Sequence, residues 1–171
     1  MEEILKLQKE YREFIKDYFE MVKNTFQDRL ISCAIFGSVA RKKNTSKSDI
    51  DILLVIENLG ETLDERMKDF NKIYSLLKQK SSYKILQKSG KSCLITEFPF
   101  TPQEIKQNPP ILLDLTTDAI IIFDRKSFLK NILSKLKKKL EELGAKKIKV
   151  SEDKWYWILK PDIKFGEIVK I

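Results

Sequence analysis

Ile31-Ser-Cys-Ala-Ile-Phe-Gly37-Ser38-Val-Ala-Arg41 runs into Lys42-Lys-Asn-Thr-Ser-Lys-Ser48 and then into Asp49-Ile-Asp51-Ile-Leu-Leu-Val-Ile56. Two apolar runs of strand length flank a polar loop, with Gly-Ser closing the first run and Asp-x-Asp opening the second. Strand side chains alternate between faces, so Asp49 and Asp51 share one face while Ile50 and Ile52 take the other. Two carboxylates held that close repel each other at neutral pH unless a cation lies between them. Hard oxygen ligands of this kind suit Mg²⁺, which is held by one or two carboxylates together with substrate phosphates. A Gly-Ser pair at the end of an apolar strand is a natural place for backbone N–H groups to meet phosphate. A phosphate cradle beside a carboxylate pair describes a phosphoryl- or nucleotidyl-transfer site.

The block resembles the signature of the DNA polymerase β-like nucleotidyltransferase superfamily: Gly-Ser, a polar spacer, then Asp-x-Asp followed by apolar residues. It is most similar to the minimal nucleotidyltransferases of archaea and bacteria. The matching positions are Gly37, Ser38, Asp49 and Asp51, with Arg41 where small members often carry an arginine. The resemblance implies an α/β (α+β) fold, a mixed β-sheet flanked by helices with a small C-terminal β annex. It also implies Asp49 and Asp51 as catalytic, Mg²⁺-binding carboxylates, with room for two ions. Gly37, Ser38, Arg41 and Ser48 would bind the nucleotide. Active members take a third carboxylate from a neighbouring strand, and strand order points to Glu97, ahead of Asp114 and Asp124. Glycine often follows the family's arginine; Lys42 stands there in this chain, so the loop is expected to depart locally.

Composition is compatible with this chemistry and excludes others. The 171 residues are 42% hydrophobic and 34% charged, enough for one well-packed domain. Histidine is absent, which removes Ser-His-Asp and Cys-His catalysis and His-ligated zinc. A carboxylate–Mg²⁺ mechanism needs no histidine. Cys33 and Cys93 have no metal or redox spacing and read as small buried residues in strands. No apolar run reaches the roughly 20 residues that span a bilayer, and the start, Met1-Glu-Glu-Ile4, lacks a secretory pattern. The expectation is a cytoplasmic protein. The net charge is +8, with much of the excess between Arg125 and Lys149. Such a balance favours polyanions, nucleoside triphosphates or nucleic acid among them.

Helical spacing of Ile4, Leu7, Tyr11, Phe14, Tyr18, Val22 and Phe26 predicts one amphipathic helix over residues 3–29. Strands are expected at 31–36, 49–56, 83–87, 92–98 and 119–123. Thr62 is read as the N-cap of a helix over 62–79 whose inner face includes Leu63, and Thr101-Pro-Gln-Glu104 reads as a capping box with proline at the first helical position. A short helix is expected at 111–117, and a basic helix over 126–143 that stops at Gly144. The tail alternates around Trp155-Tyr-Trp157 and reads as a short hairpin or an extended segment. Residues 1–145 form the expected nucleotidyltransferase domain, with 146–171 packed on it.

The expected reaction moves a nucleoside monophosphate from an NTP, ATP above all, to a hydroxyl acceptor and releases pyrophosphate. Protein, RNA or a small molecule is the acceptor. Two alternatives follow from the same resemblance: the antitoxin half of a two-gene module with a helical HEPN-type partner, or an inactive nucleotide- or RNA-binding module.

Overall fold

Strand β1 (Leu30–Phe36) is buried along its whole length. It lies at the centre of a four-stranded sheet of order β3-β2-β1-β4, where apolar side chains on both faces find cover. Here β2 is Ile50–Ile56, β3 is Ile95–Phe100 and β4 is Ile120–Asp124. β1 pairs antiparallel with β2 and β4, and β2 pairs parallel with β3. The structure, a computed structural model, describes residues 2–151 and 154–169. Met1 and residues 152, 153, 170 and 171, which the expected domain and tail spans include, lie outside the described residues.

The two faces of the sheet carry separate cores. On one, Ile50, Ile52, Leu54 and Ile56 pack with Tyr11, Phe14, Tyr18 and Val22 of helix α1 (Lys9–Phe26). Helix α3 (Leu63–Leu77) adds Phe70 and Ile73 there, and helix α4 (Ser81–Lys88) adds Leu86. On the other face, Ala34, Leu53 and Val55 meet Ile105 of α5 (Pro102–Lys106) and Leu112 and Leu115 of α6 (Ile111–Asp118). Leu129, Leu133, Leu136 and Leu140 of α7 (Phe128–Glu142) complete that layer. Beyond Gly144, strands β5 (Lys146–Lys149) and β6 (Trp155–Ile158) form a two-stranded antiparallel sheet, with Trp157 and Leu159 packed against the second core.

The expected capping box is present at Thr101 with Glu104, and the N-cap Thr62 forms a second one with Glu65. Four expectations are corrected. The first helix is broken: a 3-10 turn covers Glu2–Lys6, α1 starts at Lys9, and a second 3-10 turn follows at Gln27–Arg29. Residues 83–87 are helical, because the buried positions Ser82 and Leu86 are four apart while Ile85 is exposed. Ser82 donates to Asp17 and Tyr83 packs on Phe14, so α1 draws this segment into helix. Strand β3 begins at Ile95, leaving Cys93 buried but outside it. Leu63 is 69% exposed at the first turn of α3 and does not join the core. No helix among the described residues is long and apolar enough to cross a membrane.

Candidate active site

The chain leaves β1 through Gly37, whose φ of +72° is one that side-chain-bearing residues avoid. The short helix α2 (Gly37–Ala40) follows at once. Phe36 is in register with Asp51 of the adjacent β2, so the turn lies against that carboxylate. A Cβ built on Gly37 would be 2.1 Å from Asp51 Oδ2 and 3.1 Å from its Cγ. Glycine is required here twice over, by conformation and by contact.

Asp49 immediately precedes β2 and Asp51 is its second residue. Burial pushes the Asp51 carboxyl up to about 6; the neighbouring Asp49 charge adds to the rise and the Arg41 guanidinium opposes it. Two acids therefore crowd together as the alternation of the strand requires. The third carboxylate is not where strand order alone suggested. Parallel pairing places Thr96, not Glu97, opposite Asp51. Thr96 Oγ1 donates to Asp49 Oδ2 at 3.4 Å. Glu97 is in register with Ile52 and turns to the α1 face, where Tyr18 Oη donates to it at 3.3 Å. Burial raises its carboxyl to about 7. A single step along a strand exchanges faces, and that step separates Glu97 from the aspartate pair.

Asp124 is also elsewhere. It accepts from Ser32 Oγ at 2.7 Å and from the backbone N–H groups of Leu129 and Lys130 at 2.9 and 3.0 Å, capping α7. Asp114 of α6 does line the same cavity of about 350 Å³ as Gly37, Ser38, Arg41, Ser48 and Asp51. Its Oδ1 is already committed, accepting from the indole N–H groups of Trp155 and Trp157 at 2.7 and 3.1 Å and pairing with Lys147 at 3.0 Å. Among the described residues, no group of three or more His, Cys, Asp or Glu converges as a metal centre. Asp51 and Asp114 are the acids that line this cavity, and the Asp49 charge acts on it through Asp51.

Arg41 projects from the end of α2 into a second arrangement that the sequence did not disclose. Its Nη1 is 3.1 Å from Asp118 Oδ2, and its guanidinium lies 4.6 Å from the centre of the Trp155 ring. Lys147 Nζ is 4.5 Å from the same ring and 3.5 Å from Asp118 Oδ2. The C-terminal hairpin thus walls the cavity with Trp155 and fixes Arg41 between a carboxylate and an indole face. Strand alternation puts Trp155 and Trp157 on one side of β6, which was the available signal. Asp118 and Thr96 gave none.

Ser38 lines the cavity. Ser48 closes the preceding loop: its Oγ accepts from the Thr45 backbone N–H at 2.9 Å and its own N–H donates to the Thr45 carbonyl. Asn44 ties that loop to the first core by donating to Tyr11 Oη at 2.8 Å. Lys42 takes a left-handed φ of +58°. A lysine therefore adopts the backbone that glycine adopts without steric penalty.

Residues 13–99 match the family model described as Polymerase beta, Nucleotidyltransferase. The chain belongs to this family. The matched span contains most of α1, all of β1 and β2, nearly all of β3, the Gly37-Ser38 turn and the aspartate pair, while β4 and the cavity residues Asp114 and Trp155 lie beyond it. A protein of Methanocaldococcus jannaschii named "putative protein adenylyltransferase" is 28% identical over 142 residues, covering 82% of this chain and 88% of its own. Among solved structures, a toxin–antitoxin crystallised with AMP-PNP aligns with a TM-score of 0.47 at 13% identity, covering 75% of this chain and 91% of that one. A "putative nucleotidyltransferase" from Sulfolobus solfataricus aligns with a TM-score of 0.43 at 22% identity, covering 67% and 80%.

Proposed function

We propose that this nucleotidyltransferase moves AMP from ATP to a protein hydroxyl at the cavity between Gly37-Ser38 and the Asp49–Asp51 pair, releasing pyrophosphate. The observation that carries the reading is the closure of Gly37 on Asp51, with an added Cβ only 2.1 Å from the carboxylate oxygen. A turn that excludes even a methyl group brings the phosphate-binding backbone as near to the acid pair as covalent geometry permits. The relative named as an adenylyltransferase, aligned over 82% of this chain, supports ATP as donor and protein as acceptor.

The acid pair fits Mg²⁺. Its oxygens are hard ligands, and the raised proton affinity of Asp51 reports repulsion and burial that a divalent cation relieves. When bound, the cation neutralises phosphate charge and polarises the α-phosphorus for in-line attack. The chain's own residues supply the rest. Gly37, lacking a Cβ, lets the turn close on the Asp51 carboxylate, and Ser38 offers a hydroxyl and a backbone N–H. Arg41 presents a planar fork of donors to phosphate oxygens. Asp118 and Trp155 hold that fork at the rim, so little of its rotamer freedom is left to lose on binding. Trp155 closes one side of the cavity and limits water there.

Incubation with α-³²P-labelled ATP, Mg²⁺ and a lysate of the host tests the proposal. Label on a protein band, lost with Asp49→Asn/Asp51→Asn, is expected. Label that persists in the double variant contradicts it. The antitoxin alternative, with a HEPN-type partner as acceptor, is separated by co-expression with the neighbouring gene: a stable complex carrying AMP supports it. ATP binding with no transfer to any component supports the inactive-module alternative.

A further inference from the structure

The chemistry at the aspartate pair leaves one large feature unused. At the other end of the sheet an open groove of about 800 Å³ runs between α7 and the loop joining α5 to α6. Glu57, just past the end of β2, lines it. Six residues of strand from Asp51 place it about 20 Å from the acid pair, so it is not part of the transfer cavity.

Two stripes on α7 explain the groove. Leu129, Leu133, Leu136 and Leu140 point into the core. The neighbouring stripe, Phe128, Ile132, Lys135 and Lys139, recurs at helical spacing and faces the groove instead. The floor is apolar, made by Ile31, Phe128, Ile132 and Leu136. The rim is cationic, with Lys106, Lys126, Lys135 and Lys139 joined by Arg125. Arg125 is engaged by Asp28, but none of the four lysines has an acidic partner among the described residues. Among the described residues, Glu57 is the one acid lining the groove. Four uncompensated cations around aliphatic side chains mark an amphipathic, acidic occupant.

We propose that this groove docks an acidic amphipathic helix of a partner protein. Its apolar face would rest on Ile132 and Phe128 in the helix-in-groove mode, and its carboxylates would meet Lys106, Lys126, Lys135 and Lys139. A second copy of this chain is disfavoured as occupant by its net charge of +8. Single-stranded nucleic acid is read on rows of stacking aromatics; the groove offers one ring, Phe128, on an otherwise aliphatic floor. The proposal is independent of the reaction assigned to the aspartate pair, since it concerns binding alone.

The test uses the full chain and a fluorescein-labelled helical peptide of about 18 residues, long enough to hold helix, with leucine on one face and glutamate on the other. Saturable binding in fluorescence anisotropy is expected. Lys135→Glu/Lys139→Glu should weaken it by about tenfold or more, and so should Ile132→Asp, which leaves every cation in place. The same peptide with lysine for glutamate should not bind. ATP-analogue binding should be unchanged in both variants, which reports an intact fold. If the charge reversal fails that control, Lys135→Ala/Lys139→Ala should still lose about fivefold. Three results overturn the proposal: no binding of the acidic peptide, binding indifferent to all these substitutions, or tighter binding of oligouridylate with the same lysine dependence.

Discussion

Gly37 and Asp51 approach so closely that a single added carbon on the glycine would lie 2.1 Å from the carboxylate oxygen. Gly37→Ala therefore has two effects. The φ of +72° costs a side-chain-bearing residue about 1 kcal/mol, and the Asp51 side chain must move to relieve the contact. Displacement of a reacting group by about an ångström reduces turnover by about 100-fold. Thermal unfolding and the labelled transfer assay should show a modestly destabilised chain with transfer reduced by at least that factor.

Asp51 gives the folded chain a signature in pH. Burial and Asp49 raise its carboxyl to about 6, so the folded form holds the proton more tightly than the unfolded chain, where an aspartate titrates near about 4. Stability is greatest with the proton on, falls as pH rises from about 4 to about 6, and is then flat for this group. After allowance for solvent screening at a half-buried position, the loss is about 1 kcal/mol. With chelator present, Asp51→Asn should be more stable than the parent above pH 6 by about that amount and equal to it below pH 4. Urea unfolding across this range checks it, best in a Glu97→Gln background, because Glu97 titrates near 7. Divalent cations must displace the same proton, so Mg²⁺ affinity should weaken as pH falls through 6.

Glu97 and Thr96 exchange the roles that strand order alone would give them. Since Glu97 faces Tyr18 across the α1 side of the sheet, Glu97→Gln should retain transfer within about threefold. Thr96 faces Asp49, so Thr96→Asp should place a third acid beside the pair. Calorimetric titration with Mn²⁺ should then show tighter binding, and the cation-free variant should unfold more readily than the parent.

Trp155 holds Arg41 through its ring face. Loss of a cation–π partner is worth about 0.5–1 kcal/mol, which corresponds to about two- to fivefold in affinity. Trp155→Ala should raise the KM for ATP by about that factor with kcat nearly unchanged. Trp155→Phe should restore part of the loss, because the ring face remains while the hydrogen bond to Asp114 is gone.

The fold was legible where side-chain periodicity and covalent chemistry speak together. The Gly37-Ser38 turn, the face shared by Asp49 and Asp51, the Thr62 N-cap, the Thr101–Glu104 capping box and the basic helix α7 all follow from local sequence. The segment from Ser81 to Lys88 was not legible as helix, since Tyr83 and Ile85 imitate strand alternation and only the contacts with Asp17 and Phe14 of α1 settle the conformation. The third-carboxylate assignment failed for a related reason. Strand order placed the right strand beside Asp51, but which of Thr96 and Glu97 faces it depends on a register that only pairing fixes. The wall around Arg41 joins residues more than 70 positions apart in sequence, and no local pattern announces such a contact.

The central claim is that Asp49 and Asp51 hold a divalent cation with a nucleoside triphosphate against the Gly37-Ser38 turn. Isothermal titration of the chain with a non-hydrolysable ATP analogue, with and without Mg²⁺, tests it most directly. Binding that requires Mg²⁺ and disappears in Asp49→Asn/Asp51→Asn is the expected result. Binding of equal strength without the cation, or unchanged in the double variant, would contradict the account.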